Sequence, residues 1–197
     1  MKKIRLSFVT LLLASMVLVS FTDKKPKGKK TVTNRKTTRV IKTITPKTLP
    51  YSPYTVIIDK SDYELRVYDK DGWYATYPVV FGNKSLSDKK MEGDRNTPEG
   101  TFHIVAKKNH AEWGRFMLLD YPNTESVEKF NHRKANGEIP SSASIGGGIG
   151  IHGTRKDEEF AVDRYQNWTW GCISVKYSDI FELYDLLPVG TKVVIQK

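Results

Sequence analysis

Cys172 and His152 are the two residues of this 197-residue chain whose types could combine in catalysis. Cys172 is the only cysteine, and His152 is one of four histidines. A thiol becomes a strong nucleophile when an imidazole beside it accepts its proton, which gives a thiolate–imidazolium pair at neutral pH. The alternatives are a small buried thiol and a histidine that makes only structural hydrogen bonds.

A glycine lies next to each of the two candidate residues. Gly153 follows His152 and would let another segment approach the imidazole. Gly171 precedes Cys172 and would let a substrate carbonyl approach the backbone. The N–H group of Cys172, with that of Gly171, is therefore a candidate donor to an oxyanion.

Three segments together carry a family resemblance. His152 is followed, after a spacer, by Thr169-Trp170-Gly171-Cys172-Ile173. Upstream stands Thr97-Pro98-Glu99-Gly100-Thr101-Phe102, and the sequence closes with Gly190-Thr191-Lys192-Val193. This set, in this order, resembles the L,D-transpeptidase catalytic (YkuD-like) domain of bacterial cell-wall enzymes over roughly residues 54–196.

The resemblance implies a reaction and its substrate. Cys172 would attack a carbonyl of a peptidoglycan stem peptide, His152 would act as base and then acid, and the Gly153 carbonyl would orient the imidazole. A thioester would be resolved by an amine of a second stem, forming a 3-3 cross-link or exchanging a terminal D-amino acid. Alternatives on the same fold are a hydrolase, an L,D-carboxypeptidase, an amidase or an inactive wall-binding module.

Two positions depart from the family pattern, and several residues are candidates for the substrate cleft. Trp170 stands where the family usually has a second histidine, and Ser174 stands where it often has Arg or Asn. Trp168 and Trp170 are each either a platform for substrate or part of the core. Arg155 is either a clamp for a substrate carboxylate or a surface cation beside Asp157 and Glu158. Thr169, from the same segment as Cys172, is a further candidate for the substrate cleft.

The charge of the chain is unevenly distributed. The net charge is +10, but residues 1–50 carry +12 and residues 51–197 carry −2. The folded part is therefore close to neutral, which argues against a nucleic-acid-binding function. Residues 1–22, basic and then apolar, are predicted to be a signal peptide or an N-terminal anchor. Export to the periplasm or cell-wall space would make a lone thiol without a disulfide partner a functional group.

The rest of the chain divides into a linker and one domain. Residues 23–52 are basic and interrupted by prolines, which predicts a disordered linker able to contact an anionic envelope surface. Residues 53–197 are predicted to form the catalytic domain. The four histidines and Cys172 show no zinc-ligand spacing, so no metal and no cofactor is predicted.

The hydrophobic pattern of the domain predicts a mainly β fold. Residues 54–59 and 63–68 indicate strands, and Asp71-Gly72 indicates a hairpin turn. Further strands are predicted at 73–81, 101–106, 115–120, 149–152 and 192–196, with short helices near 124–130 and 177–187. We therefore expect an antiparallel sandwich or barrel with helices on its rim, as the resemblance also implies. The Ser/Gly-rich stretch 141–150 would be a mobile loop before the strand of His152.

Overall fold

The computed structural model describes residues 48–197. The predictions of a signal peptide or anchor at 1–22 and of a linker over residues 23–47 lie outside the described residues. A mainly β fold with short peripheral helices is confirmed. The elements of this part are β1 Thr55–Asp59, β2 Glu64–Asp69, β3 Gly72–Pro78, β4 Gly100–His110, β5 Gly114–Leu119, α1 Thr124–Ala135, β6 Gly150–Gly153, α2 Phe160–Asp163, β7 Ile173–Val175, α3 Asp179–Leu186 and β8 Lys192–Gln196.

The alternating residues of β1 and β2 explain how the first strands pair. Val56 lies opposite Val67, and Ile58 lies opposite Leu65, in an antiparallel register. All four side chains are fully buried, whereas their neighbours along each strand are partly exposed. Burying one such side chain contributes about 1.5–3 kcal/mol, so a shift of the register by one residue would lose all four contributions.

All eight strands belong to one sheet, in the order β3-β2-β1-β8-β4-β5-β6-β7. Five neighbouring pairs are antiparallel, but β1 with β8 and β6 with β7 are parallel, which differs from the antiparallel arrangement that we expected. The chain that follows β3 runs to the opposite edge of the sheet, which is β7. There Val80 and Ser174 of β7 exchange two backbone hydrogen bonds of 2.9 Å. These bonds bring the two edges together, so the sheet forms a nearly closed barrel.

One hydrophobic core fills this barrel. Every strand except β3 contributes side chains that are at most 2% exposed, and β3 contributes Tyr77 at 6%. Helix α3 packs Ile180 and Leu183 against the same cluster. Within residues 48–197 no helix is long and apolar enough to cross a membrane.

The two longer helices lie where the sequence predicts them. Asn123 caps α1 by accepting a hydrogen bond from the Ser126 backbone at 3.0 Å, which satisfies one of the free N–H groups of the first turn. Phe130 is the fully packed residue of α1, at 2% exposure. Helix α3 ends at Leu186, before Pro188, as the helix-stopping proline indicates.

The hairpin of β4 and β5 is longer than the sequence indicates. β4 continues to His110, four residues beyond the predicted end at Ala106, and β5 begins at Gly114. The turn between them carries Trp113, and Gly114 adopts a positive φ of 68° there. The extended hairpin brings this turn against β6, the strand that carries His152.

Candidate active site

Parallel pairing of β6 and β7 brings His152 and Cys172 to the same region of the barrel. Ile151 pairs with Ile173, and His152 pairs with Ser174. Cys172 immediately precedes β7, so it lies near the start of the strand next to the one that carries His152. Residues twenty apart in sequence become neighbours because the connection through α2 returns the chain in the same direction.

A backbone carbonyl fixes the orientation of the His152 ring. Nδ1 lies 2.8 Å from the carbonyl oxygen of Gly153, as the resemblance implies. A carbonyl only accepts hydrogen bonds, so Nδ1 carries the hydrogen and Nε2 is the basic nitrogen. Gly153 has no Cβ, and a Cβ there would lie 2.8 Å from the Trp113 carbonyl oxygen. The β4–β5 turn therefore closes over this strand only because residue 153 is glycine.

Aromatic rings enclose the His152 side chain, which is 1% exposed. Trp113 stacks on the imidazole with 4.3 Å between ring centroids, and Trp168 meets it edge-on at 5.5 Å. Phe116, on the paired position of β5, lies 6.0 Å away. Burial lowers the pKa of His152 to about 4, against the hydrogen bond to Gly153 that raises it. The imidazole is therefore neutral at neutral pH.

Cys172 is half-buried and also held in its neutral form. Its Sγ atom contacts the Gly148 carbonyl oxygen at 3.6 Å. Burial raises the pKa of the thiol, and the Gly150 backbone and the charge of Lys89 only partly oppose this effect. The surroundings therefore favour a neutral thiol and a neutral imidazole in the free protein, in place of the thiolate–imidazolium pair that the residue types suggest.

The turn before Cys172 is organised by the Thr169 hydroxyl. It donates to the Cys172 carbonyl at 2.7 Å and accepts from the Gly171 N–H at 3.1 Å. The Gly171 N–H is thus engaged within the turn, which leaves the Cys172 N–H as the better candidate for an oxyanion donor. Gly171 has φ of 121°, and a Cβ there would lie 2.8 Å from the Asn96 carbonyl oxygen.

Arg95 holds the same turn from outside. Its Nε donates to the Thr169 carbonyl at 3.2 Å, and Nη2 donates to the Trp168 carbonyl at 3.1 Å. Its guanidinium also lies 5.1 Å from the centre of the Trp170 ring. The sequence alone does not indicate this role, since Arg95 is 73 residues or more away from the atoms that it binds.

The remaining predicted site residues differ in their surroundings. Trp170 is 76% exposed, so it is no part of the core, whereas Trp168 packs against the His152 imidazole. Ser174 is fully buried on β7 beside His152. Arg155 is exposed and forms ion pairs with Glu112 at 3.1 Å and Glu158 at 3.4 Å, which fits a surface cation and not a substrate clamp.

Trp113, Phe116 and Gly150 complete the site but are not indicated by the sequence. A Cβ at Gly150 would lie 2.5 Å from the Phe116 ring, so this glycine makes room for the ring beside His152. These contacts depend on which strands pair, and a local sequence pattern does not encode that choice. The Gly-rich composition before His152 is the one signal that could have pointed to a close approach there.

Comparison with known proteins agrees with this arrangement. The sequence profile of the L,D-transpeptidase catalytic domain (YkuD) matches residues 53–195. A Bacillus subtilis protein named "Putative L,D-transpeptidase YqjB" is 29% identical over 151 residues, which cover 75% of this chain and 73% of the relative. A Bacillus licheniformis protein named "Putative L,D-transpeptidase YkuD" is 28% identical over 147 residues, or 73% and 66% of the two chains.

Solved structures show the same fold. The helical cell shape determining protein Pgp2 from Campylobacter jejuni has a TM-score of 0.53 at 24% identity, over 76% of this chain and 50% of that one. Bd1075 from Bdellovibrio bacteriovorus has a TM-score of 0.52 at 19% identity, over 75% and 48%. This chain spans about half the length of these two structures. From the profile match and the shared fold, we conclude that the chain belongs to the L,D-transpeptidase catalytic domain family.

Proposed function

We propose that this protein is a cysteine acyltransferase that acts on peptidoglycan stem peptides, forming L,D (3-3 type) cross-links or exchanging the terminal D-amino acid. Family membership supports the substrate class, because the family acts on peptidoglycan. The observation that carries the proposal is the orientation of His152. Its Nδ1 is engaged by Gly153, so its basic Nε2 is available for proton transfer in the region where Cys172 lies.

The first half of the reaction is acylation. Sγ of Cys172 attacks the donor carbonyl carbon while its proton passes to Nε2 of His152, so no ion pair is needed before substrate binds. The Cys172 N–H is the donor proposed for the oxyanion, an interaction worth about 3 kcal/mol. When the C–N bond breaks, the imidazolium returns the proton to the leaving amine. The products are a thioester on Cys172 and a free terminal amino acid.

The second half regenerates the thiol. An amine of an acceptor stem attacks the thioester carbonyl, its proton passes to His152, and the Cys172 sulfur leaves and is reprotonated. The new bond is an amide between two stems, or a new terminal residue when the acceptor is a free amino acid. The His152 imidazole is neutral at neutral pH, so its Nε2 is unprotonated when each half of the cycle begins.

The proposed location follows from the substrate. Peptidoglycan lies outside the cytoplasmic membrane, so the chain would work in the periplasm or cell-wall space. The apolar residues 6–19 are consistent with export, and the basic residues 23–52 with attraction to an anionic envelope surface.

Mass spectrometry of muropeptides incubated with the protein tests the proposal. We expect dimers joined between two diamino acids, or exchanged terminal residues, that disappear in Cys172→Ala. His132→Ala, which removes an exposed imidazole on α1, is a matched control for His152→Ala and should leave the products unchanged. Cysteine-dependent shortening without transfer would show a hydrolase or carboxypeptidase. Binding to sacculi without any product would show a wall-binding module.

A further inference from the structure

A cavity of about 370 Å³ is lined in part by residues that contact His152 and Cys172. Trp113 and Phe116, which pack around His152, form part of its wall. Gly148, whose carbonyl contacts Cys172, forms another part. The volume lies within the range of ordinary small-molecule sites. The cavity therefore borders the site and is large enough for an amino acid residue.

A lysine stands at this cavity in register with His152. Lys108 on β4 pairs with Phe116 on β5, which pairs with His152 on β6. Directly paired residues share one face of a sheet, and neighbouring strands lie about 4.8 Å apart. The Lys108 Nζ lies 5.1 Å from the centre of the Phe116 ring. The cation therefore stands two strands from the imidazole, on the same face.

Lys108 has no acidic partner among residues 48–197. Its neighbour Lys107 is different, because that ammonium donates to the backbone carbonyls of Tyr184 and Leu187. An exposed lysine alone would not indicate a binding site. Here the unpaired charge lies against an aromatic wall beside a catalytic imidazole, which suits a ligand with a carboxylate and an apolar part.

The proton transfer decides which part of the substrate enters the cavity. His152 must protonate the leaving amine, so the leaving residue lies on the His152 side of the reacting carbonyl. Trp113 and Phe116, which pack on His152, both form part of the cavity wall. We propose that the cavity binds the leaving terminal amino acid of the donor stem, with Lys108 pairing its carboxylate. This inference rests on the proposed function, and it assigns to Lys108 the recognition of the terminal carboxylate of the donor stem.

The proposal has a test that does not require turnover. Cys172 in the full chain is alkylated with iodoacetate, which carries a carboxylate, and with iodoacetamide, which is neutral. Lys108→Gln should lower the ratio of the two rates about threefold, because it removes a positive charge from the wall of the cavity that the iodoacetate carboxylate would enter. Lys192→Gln, an exposed lysine on β8, is the matched control and should leave the ratio unchanged. An unchanged ratio in Lys108→Gln overturns the proposal.

Turnover gives a second readout. Donor peptides that end in a free carboxylate and in a carboxamide are compared by kcat/KM. The wild type should favour the carboxylate about tenfold, and Lys108→Gln should lose most of this preference while the carboxamide peptide reacts as before. An equal fall in kcat/KM for both peptides would mean that Lys108 does not recognise the carboxylate. If the wild type transfers neither peptide, the proposed function fails, while the alkylation ratio still decides whether Lys108 attracts a carboxylate.

Discussion

Removing the imidazole of His152 should change how stability depends on pH. In the folded protein the ring is neutral down to about pH 4, because burial lowers its pKa from 6.5 to about 4. The unfolded chain binds this proton from about pH 6.5 downward. Between the two values the unfolded state binds more protons, so the free energy of unfolding falls as pH falls. One pKa unit corresponds to about 1.4 kcal/mol. The titration of His152 should therefore lower the free energy of unfolding by about 3 kcal/mol between neutral pH and pH 4.

Urea unfolding, followed by tryptophan fluorescence between pH 7.5 and 4, measures this cost. Carboxylates also titrate in this range, so the readout is the difference between the wild type and His152→Gln at each pH. This difference should be constant above pH 6.5 and should shift by about 3 kcal/mol in favour of the variant by pH 4. His132→Gln removes an exposed imidazole and serves as the control.

Two results would refute this reasoning. Parallel pH profiles for the wild type and His152→Gln would mean that the folded protein accepts the proton as readily as the unfolded chain. A shift in the opposite direction would mean that a carboxylate or another acceptor stabilises the imidazolium.

Three further predictions concern the neighbouring groups. The rate of Cys172 alkylation by iodoacetamide should rise with pH through a midpoint above that of an ordinary thiol, whereas a fast plateau at pH 7 would reveal a thiolate. Gly171→Ala should cost about 2 kcal/mol more in urea unfolding than Gly72→Ala: both have φ near 120°, but only Gly171 faces a backbone oxygen. Lys89→Met should cost about 3 kcal/mol because it leaves Asp94 unpaired in a buried site, whereas Lys70→Met, from an exposed pair, should barely change the midpoint.

The local sequence was sufficient to predict the strands and the two longer helices, but it did not indicate the short helix α2. Alternation in Glu64–Asp69 predicts a half-buried strand, and the apolar spacing from Ile180 to Leu187 predicts the α3 helix. These signals depend on neighbours along the chain. The order of strands does not, and the parallel pairs β1–β8 and β6–β7 were therefore missed.

The sequence indicates the two candidate reacting residues but not their surroundings. Cys172 and His152 stand out because reactive side chains are few in this chain. Trp113 encloses His152 only because the β4–β5 hairpin extends and folds its turn over Gly153. The low pKa of His152 follows from that enclosure, so the charge state of the pair could not be inferred from residue types.

The place of β8 in the sheet has a consequence for synthesis. β8 follows every other strand along the chain, yet it pairs with β1 on one side and with β4 on the other. Until residues 192–196 leave the ribosome, β1–β3 and β4–β7 lack the strand that joins them, and within residues 48–197 the Val80–Ser174 bridge is the other strand contact between the two groups. Closing the longest loop comes last, which slows folding. We therefore expect the barrel to close only after its final strand has been translated.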